Sequence, residues 1–357
     1  MQYNSYRRKT KPIIVGGVGI GGDYPVSIQS MTNTHPLDVM ATYQQVLAIE
    51  AAGGDIVRMT VPDEESADTI KQLRALGVKI PIVADVHFDY KAALAAVKCG
   101  ADKIRINPGN IGSRERIRAV ADACRERKIP IRIGVNSGSL EKKILEKHKG
   151  PTAEALVESA LYHASLLHEL DFHDIAVSVK SSDVMVTVQA NRILAANTEY
   201  PIHIGVTEAG GGDMALIKSS IGIGALLSAG IGDTVRVSLT DKPEREISAA
   251  RSILRSLGLI GGMNVISCPT CGRTGVDLIS LHDELMKRVL ALGLDSKDIK
   301  VALMGCAVNG PGEASEADVG IAAGVAEGLL FRKGKIIKRV KEDRLIDELI
   351  KEIIDFK

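Results

Sequence analysis

The chain contains no tryptophan, and aromatic residues of every kind make up only 3% of it. Platforms for stacking bases are therefore scarce, which argues against a single-strand nucleic-acid binder. Charge imbalance is missing as well. Lys and Arg number 45 against 44 Asp and Glu, well mixed, for a net charge of +1. Neither a nucleic acid nor an anionic membrane surface is indicated as a partner. No apolar run approaches the roughly 18–20 residues of a membrane span. The opening MQYNSYRRKTKPIIV carries basic residues but no apolar h-region or small-residue cleavage site, so no export signal is expected. Cysteine is sparse, five in 357 residues, which does not look like a disulfide framework. A reducing cytoplasm, with thiols serving metal binding or catalysis, is the expectation.

What is present is a rhythm. From residue 23 to 258 a short β-branched run, a polar or glycine break and an amphipathic helical pattern recur in turn. The strand candidates are 24–31, 55–60, 80–86, 102–107, 130–136, 174–180, 201–209 and 233–239. Helical stretches such as 37–53 and 152–170 lie between them, with apolar positions at three- and four-residue spacing. Eight strands alternating with helices predict an α/β fold with an N-terminal (β/α)8 TIM-type barrel, an open doubly wound sheet being the alternative. The segment 11–22 predicts a hairpin plugging the N-terminal mouth of that barrel. After Leu257 the rhythm breaks at a glycine-rich linker, and a small α+β module follows. The expected domains are 1–258 and 259–357.

In such a barrel the chemistry sits at the C-terminal ends of strands. By the period-two rule Arg58 and Thr60 share a side of their strand, as do Arg105 and Asn107, and Arg132, Gly134 and Asn136. The third strand ends in Asp85 with His87 just beyond. The sixth ends in Ser178 and Lys180, the seventh in Glu208, and the eighth carries Arg236, Ser238 and Thr240. Four arginines, a lysine and a histidine converging on one mouth exceed what Asp85, Glu208 and Asp233 can neutralise. Arginine forks suit phosphate oxygens, so the mouth is read as a site for a small molecule with more than one phosphate. Glycine-rich loops at 107–113, 136–139 and 208–213 offer backbone amides to anions. The opposing possibility is that individual arginines point outward to helix carboxylates.

The small module holds SCPTCGRTG and MGCAVNGPGEASEAD, hence Cys268, Cys271 and Cys306. CxxC is a standard bite for zinc or an iron–sulfur cluster. Cys99 and Cys124 fall on barrel helices and read as small buried apolar residues. A tetrahedral site needs a fourth ligand, for which His282, Asp277, Glu284 and Glu313 are candidates. His282 would complete a structural zinc site. Glu313 shares a loop with Cys306, with Pro311 and Gly312 turning the chain between them, and a hard carboxylate would leave an exchangeable position.

Across nearly the whole chain, in order, QSMTNT (29–34), IVRMTVP (56–62), ADVHFDY (84–90), IRINPGNIG (104–112), RIGVNSGSL (132–140), SVKSSD (178–183), HIGVTEAG (203–210), GIGDTVRVSLT (230–240), SCPTCGRT (267–274) and MGCAVNGPGEA (304–314) resemble one family. It is the (E)-4-hydroxy-3-methylbut-2-enyl diphosphate synthases of the methylerythritol phosphate route to isoprenoids, in their two-domain bacterial form. The resemblance implies a 4Fe–4S cluster held by Cys268, Cys271, Cys306 and Glu313. It implies a substrate, 2-C-methyl-D-erythritol 2,4-cyclodiphosphate, held by Arg58, His87, Arg105, Asn107, Arg132, Asn136, Lys180 and Ser238. Glu208 would face the carbon skeleton and handle protons, so Glu208 and Glu313 are the implied catalytic carboxylates. The implied reaction is a two-electron reductive ring opening with loss of water, fed by reduced ferredoxin or flavodoxin. The resemblance also implies a homodimer in which the cluster domain of one subunit caps the barrel mouth of the other. The rival expectation is a phosphate-substrate barrel transferase or lyase with a structural zinc module.

Overall fold

The computed structural model describes residues 6–306, 316–324 and 326–356. They divide into two compact units, Met1–Leu259 and Ile260–Lys357.

The first unit opens with a hairpin, β1 (Ile13–Val15) and β2 (Val18–Ile20), joined through Gly16 and Gly17. Both glycines have positive φ, which the tight two-residue turn requires. Ile13, Val15 and Ile20 pack on Ile56, Val83 and Ala176, at or near the starts of three barrel strands. The hairpin therefore covers the N-terminal end of the barrel.

Eight strands follow: β3 (Ser27–Met31), β4 (Ile56–Thr60), β5 (Ile82–Asp85), β6 (Lys103–Ile106), β7 (Ile131–Asn136), β8 (Ile175–Lys180), β9 (His203–Ile204) and β10 (Thr234–Val235). All pair in parallel, in the order β8-β7-β6-β5-β4-β3-β10-β9. A parallel bridge between Val177 and Ile202 joins the two ends of that order into a barrel. Strand interiors are Ile- and Val-rich, as expected for a sheet covered on both faces. The connecting helices are capped locally: Asp38, Asp63, Asp89, Thr152 and Asp183 each accept a first-turn backbone N–H.

Two strands are shorter than the sequence suggests. The runs 201–209 and 233–239 form regular ladder only over two residues each. At Gly205 the backbone presses against the Arg236 carbonyl closer than any side chain would allow, and regular pairing gives way to irregular chain at the mouth.

The second unit is a five-stranded sheet of β11 (Asn264–Ser267), β12 (Lys300–Met304), β13 (Val319–Ala323), β14 (Glu327–Arg332) and β15 (Lys335–Lys341), in that order. The first three are parallel and the last three antiparallel. The β14–β15 hairpin turns on Lys333 and Gly334, both at positive φ. Helices Leu278–Ala291 and Leu345–Asp355 lay Leu285, Val289, Leu349 and Ile353 on Leu303 and Ile321. Among the described residues no helix is long and apolar enough to cross a membrane.

Candidate active site

Inward-facing positions at the C-terminal ends of the strands meet in one pocket. It is lined by Arg58, Asp85, His87, Arg105, Arg132, Asn136, Ser178, Lys180, Thr207, Arg236 and Ser238. Roomier clefts exist: one of about 390 Å³ between helices Gly212–Leu227 and Pro243–Ser256 is lined mostly by serines and aliphatic residues, and in others, such as that of Glu64, Lys91, Lys98, Glu126 and Arg127, charges of both signs are mixed. An excess of basic side chains singles out the mouth.

Glycines make the cations fit. Gly134 lies between Arg132 and Asn136 on the inward face of β7, and a Cβ there would sit about 3.0 Å from Arg105 Nη2 and closer still to Nε. Gly205 leaves room for Lys180, whose Nζ is 3.0 Å from where a Cβ would stand. Removing two inward side chains thus lets an arginine and a lysine fold over the barrel axis.

The cations are only partly neutralised. Asp85 accepts from Arg105 Nη1 at 3.0 Å and pairs with Arg58 Nε at 3.5 Å. Arg105 Nη2 also donates to the Gly134 carbonyl at 3.1 Å, and Arg58 donates to the Met31 sulfur at 2.8 and 3.1 Å. Arg236 forks onto Glu246 of the following helix, both bonds 3.2 Å. Arg132 is 1% exposed; its Nη1 donates to Ser178 Oγ at 3.3 Å, while Nε and Nη2 are buried without a partner. Five basic side chains (Arg58, Arg105, Arg132, Lys180, Arg236) therefore face two carboxylates, Asp85 and Glu246.

Electrostatics record that excess. Burial pulls Arg58 down to about 10, with Arg236 and Arg105 adding to the effect against Asp85. Burial first, then neighbouring arginines, push Arg132 and Lys180 well below their ordinary values. Burial alone would raise Asp85, but Arg58 and Arg105 outweigh it and hold the carboxyl at about 2. Buried, mutually repelling cations with free donors are an anion site in search of its anion.

Two expected pocket residues are placed differently. Asn107 is buried but turns inward on its own loop, capping the short helix Pro108–Ile111 through Gly109 N at 3.3 Å. That loop is braced from behind: Gly109 N donates to His163 Nδ1 at 3.2 Å, and His163 Nε2 bonds Glu141, which also accepts from Ser159 at 2.8 Å. Glu208 is exposed, next to pocket-lining Thr207, with φ +52 in the left-handed region. For a non-glycine residue that conformation costs on the order of 1 kcal/mol and is a mark of functional loops. Asp233 takes no part in the mouth's charge balance: it directly precedes the eighth barrel strand and accepts from Arg7, Thr10 and Ile202 N. Thr207 and Glu246 are additions that strand-end reasoning did not supply.

In the second unit β11 and β12 run parallel with Ser267 opposite Leu303, so Cys268 and Cys306 emerge from adjacent strand ends. Gly305 N donates to Cys268 Sγ at 3.2 Å, and Gly305 O accepts from Gly275 N at 3.1 Å, tying the CxxC loop to the Cys306 loop. A Cβ at Gly305 would strike Thr274 Cγ2 at 2.7 Å, so only glycine allows this approach. Hydrogen bonding from Arg273, backbone first, lowers the exposed Cys271 thiol towards thiolate. Among the described residues no three His, Cys, Asp or Glu side chains converge as a metal-holding group. Three candidate fourth ligands are engaged elsewhere. Asp277 caps the helix Leu278–Ala291, Glu284 bonds Arg288, and His282 is solvent-facing beside Asp283. Glu313 lies outside the described residues. Three sulfurs on neighbouring loops, one already accepting an N–H bond, fit a thiolate-held iron–sulfur group in donor chemistry. Cys124 is buried on its helix, its thiol pushed up to about 12 by burial, and Cys99 is half-buried, its thiol also raised by burial.

Residues 10–251 match the GcpE TIM-barrel domain, and residues 264–355 match the GcpE protein C-terminal domain. The chain belongs to the GcpE family. It is 57% identical over 344 residues to a 4-hydroxy-3-methylbut-2-en-1-yl diphosphate synthase (flavodoxin) of Caldicellulosiruptor saccharolyticus, covering 96% of this chain and 98% of that one. A protein of the same name from Clostridium perfringens is 56% identical over 97% of this chain and 99% of its own. Among solved structures, the sialic acid synthetase of Leptospira borgpetersenii aligns with a TM-score of 0.50 at 13% identity, over 78% of this chain and 96% of that one. A Yersinia pestis dihydropteroate synthase aligns with a TM-score of 0.50 at 10% identity, over 70% and 99%. At such identities these structures speak to the barrel fold alone.

Proposed function

We infer that this GcpE protein performs the reaction for which its relatives are named. It opens 2-C-methyl-D-erythritol 2,4-cyclodiphosphate reductively to (E)-4-hydroxy-3-methylbut-2-enyl diphosphate in isoprenoid precursor synthesis. Two electrons enter, the bond from a ring carbon to a phosphate oxygen breaks, and a hydroxyl leaves as water. The observation that carries the reading is the mouth: five basic side chains against two carboxylates, with free guanidinium donors on Arg132.

Arg58, Arg105, Arg132 and Lys180 grip the cyclic diphosphate, with Asn136 and Ser238 as neutral partners and Asn107 shaping the neighbouring loop. Ring opening adds negative charge to the phosphate oxygen released from carbon, and preorganised cations stabilise that charge better than water would. His87 sits at the rim beyond Asp85, where its ring can hydrogen-bond the phosphates. Glu208, displayed on its left-handed residue, meets the carbon skeleton and handles the proton that leaves with the hydroxyl as water. Cys268, Cys271, Cys306 and Glu313 would hold a 4Fe–4S cluster, which would supply the single-electron chemistry that side chains lack. Reduced flavodoxin is the donor, in keeping with the names of the relatives. The active form is a cytoplasmic homodimer in which one subunit's cluster domain serves the other's barrel. Mixing an Arg132→Ala chain with a Cys306→Ala chain should then restore part of the activity that each alone lacks.

The deciding experiment is anaerobic turnover of the cyclodiphosphate by brown, iron- and sulfide-containing protein with reduced flavodoxin. Product formation is expected. A colourless protein with one zinc per chain and no reductive turnover would sink the reading.

A further inference from the structure

Below the mouth, the barrel interior holds polar groups that substrate binding leaves unexplained. Lys103 stands on β6 two residues before Arg105, hence on the same inward face and one step deeper. It is fully buried, and its Nζ has no hydrogen-bond partner. His203, the first residue of β9, is equally buried with neither ring nitrogen partnered. Several other barrel cations do find carboxylates: Arg7 has Asp233, Arg105 has Asp85 and Arg236 has Glu246.

The groups facing Lys103 offer no such partner. Arg132 from β7 and Arg58 from β4 act on it, both positive. Its own field reaches His203 on β9, which also feels Lys180 from β8. The carboxylate of the adjacent β5, Asp85, is held by Arg58 and Arg105. Burial, then these cations, push the Lys103 amine well below its ordinary pKa, and a fully buried amine with no hydrogen-bond partner and only cations facing it favours the neutral form. A ligand bearing two phosphates among Arg58, Arg105, Arg132 and Lys180 reverses the sign of the field that suppresses the ammonium.

We propose that Lys103 is a proton-accepting second tier of the substrate site, neutral in the empty barrel and charged once the cyclic diphosphate lies above it. The proton comes from solvent. The new cation stands beneath the phosphates as ring opening adds negative charge to them. Lys103 touches neither substrate nor cofactor; it is a positioning residue acting through the field. The proposal rests on the substrate reading above.

The test is calorimetric titration of the anaerobic holoenzyme with the cyclodiphosphate, in buffers of different ionisation enthalpy, which counts protons taken up on binding. Wild type should take up more protons per site than Lys103→Met, by as much as one. Affinity should fall in the variant by up to roughly tenfold, the worth of one charge about 10 Å from a phosphate at an effective dielectric of about 20 less the cost of protonating the amine. Thermal stability of the ligand-free variant should be unchanged or raised, because an unpartnered buried amine has been removed. Lys103→Gln, which cannot take a proton at neutral pH, gives a second reading if the first variant folds poorly. A proton count equal in wild type and variants, or zero in wild type, overturns the proposal while leaving the substrate reading intact. Wild type that fails to bind the cyclodiphosphate at all overturns both.

Discussion

Gly134→Ala isolates the role of the mouth cations with the addition of one methyl group. The new Cβ would meet Arg105 Nη2 at 3.0 Å and Cζ at 3.1 Å, with Nε nearer still. Arg105 cannot swing aside freely, because Asp85 holds it at 3.0 Å and the Gly134 carbonyl at 3.1 Å. A displacement of about 0.5–1 Å takes such bonds beyond hydrogen-bond range. Overpacking of this kind costs about 1–3 kcal/mol of stability, or roughly 2–4 °C in Tm per kcal/mol for a domain of this size. Binding suffers separately. Losing one charge-assisted bond to phosphate removes about 1.5–3 kcal/mol, a rise in Kd of roughly ten- to a hundredfold. Gly138→Ala is the control, since that glycine is exposed and a Cβ there meets nothing within 4 Å. The assays are calorimetric binding of the cyclodiphosphate and thermal unfolding, run on both variants. If Gly134→Ala lowers Tm but leaves Kd at the wild-type value, Arg105 does not contact the phosphates and the mouth has been misread.

Acid should weaken the barrel through Asp85. Its carboxyl lies at about 2 in the folded chain against an ordinary 3.8, so its contribution, about 2 kcal/mol, is complete above pH 4 and disappears as pH falls towards 2. Urea unfolding across that range should show the loss in wild type and a flatter profile in Asp85→Asn. Glu313→Ala should retain a fraction of its iron and sulfide, because three thiolates remain, yet lose turnover; full activity would remove Glu313 from the ligand set. Gly205→Ala forces a methyl group into the Arg236 carbonyl and the space of Lys180 Nζ. A fall in stability of about 3 kcal/mol or more is expected by unfolding, and a wild-type Tm would contradict the packing described at β9.

Much of the site was legible because a barrel strand shows its inward face at alternate residues. Arg58, Arg105, Arg132, Lys180 and Ser238 follow from that period and from the rule that chemistry gathers at strand ends. Thr207 was not legible: it follows Gly205, where regular pairing has already stopped, so strand counting has no purchase there. Glu246 is spelled out in the sequence, but its pairing with Arg236 depends on how the last barrel helix folds back over β10. Asn107 shows the reverse case. The sequence puts it at the end of its strand; in the structure it lies just past β6, and its side-chain oxygen is taken up by the cap of a one-turn helix. In the cysteine module, spacing alone left four candidates for the fourth ligand, and the fold engages three of them elsewhere, with Asp277 as a cap, Glu284 on Arg288 and His282 facing solvent.

By itself the sequence determined the alternation of strands and helices, the hairpin at the barrel's base and the identity of the residues carried to its mouth. These depend on local periodicity and turn chemistry, which neighbouring residues decide among themselves. Only the tertiary structure decided which cations go unpaired, that Lys103 and His203 are sealed beneath them, and that Gly134 and Gly205 open the space they fill. The energy of a buried charge depends on groups brought within a few ångströms from strands distant in the chain, and ring closure alone sets those distances.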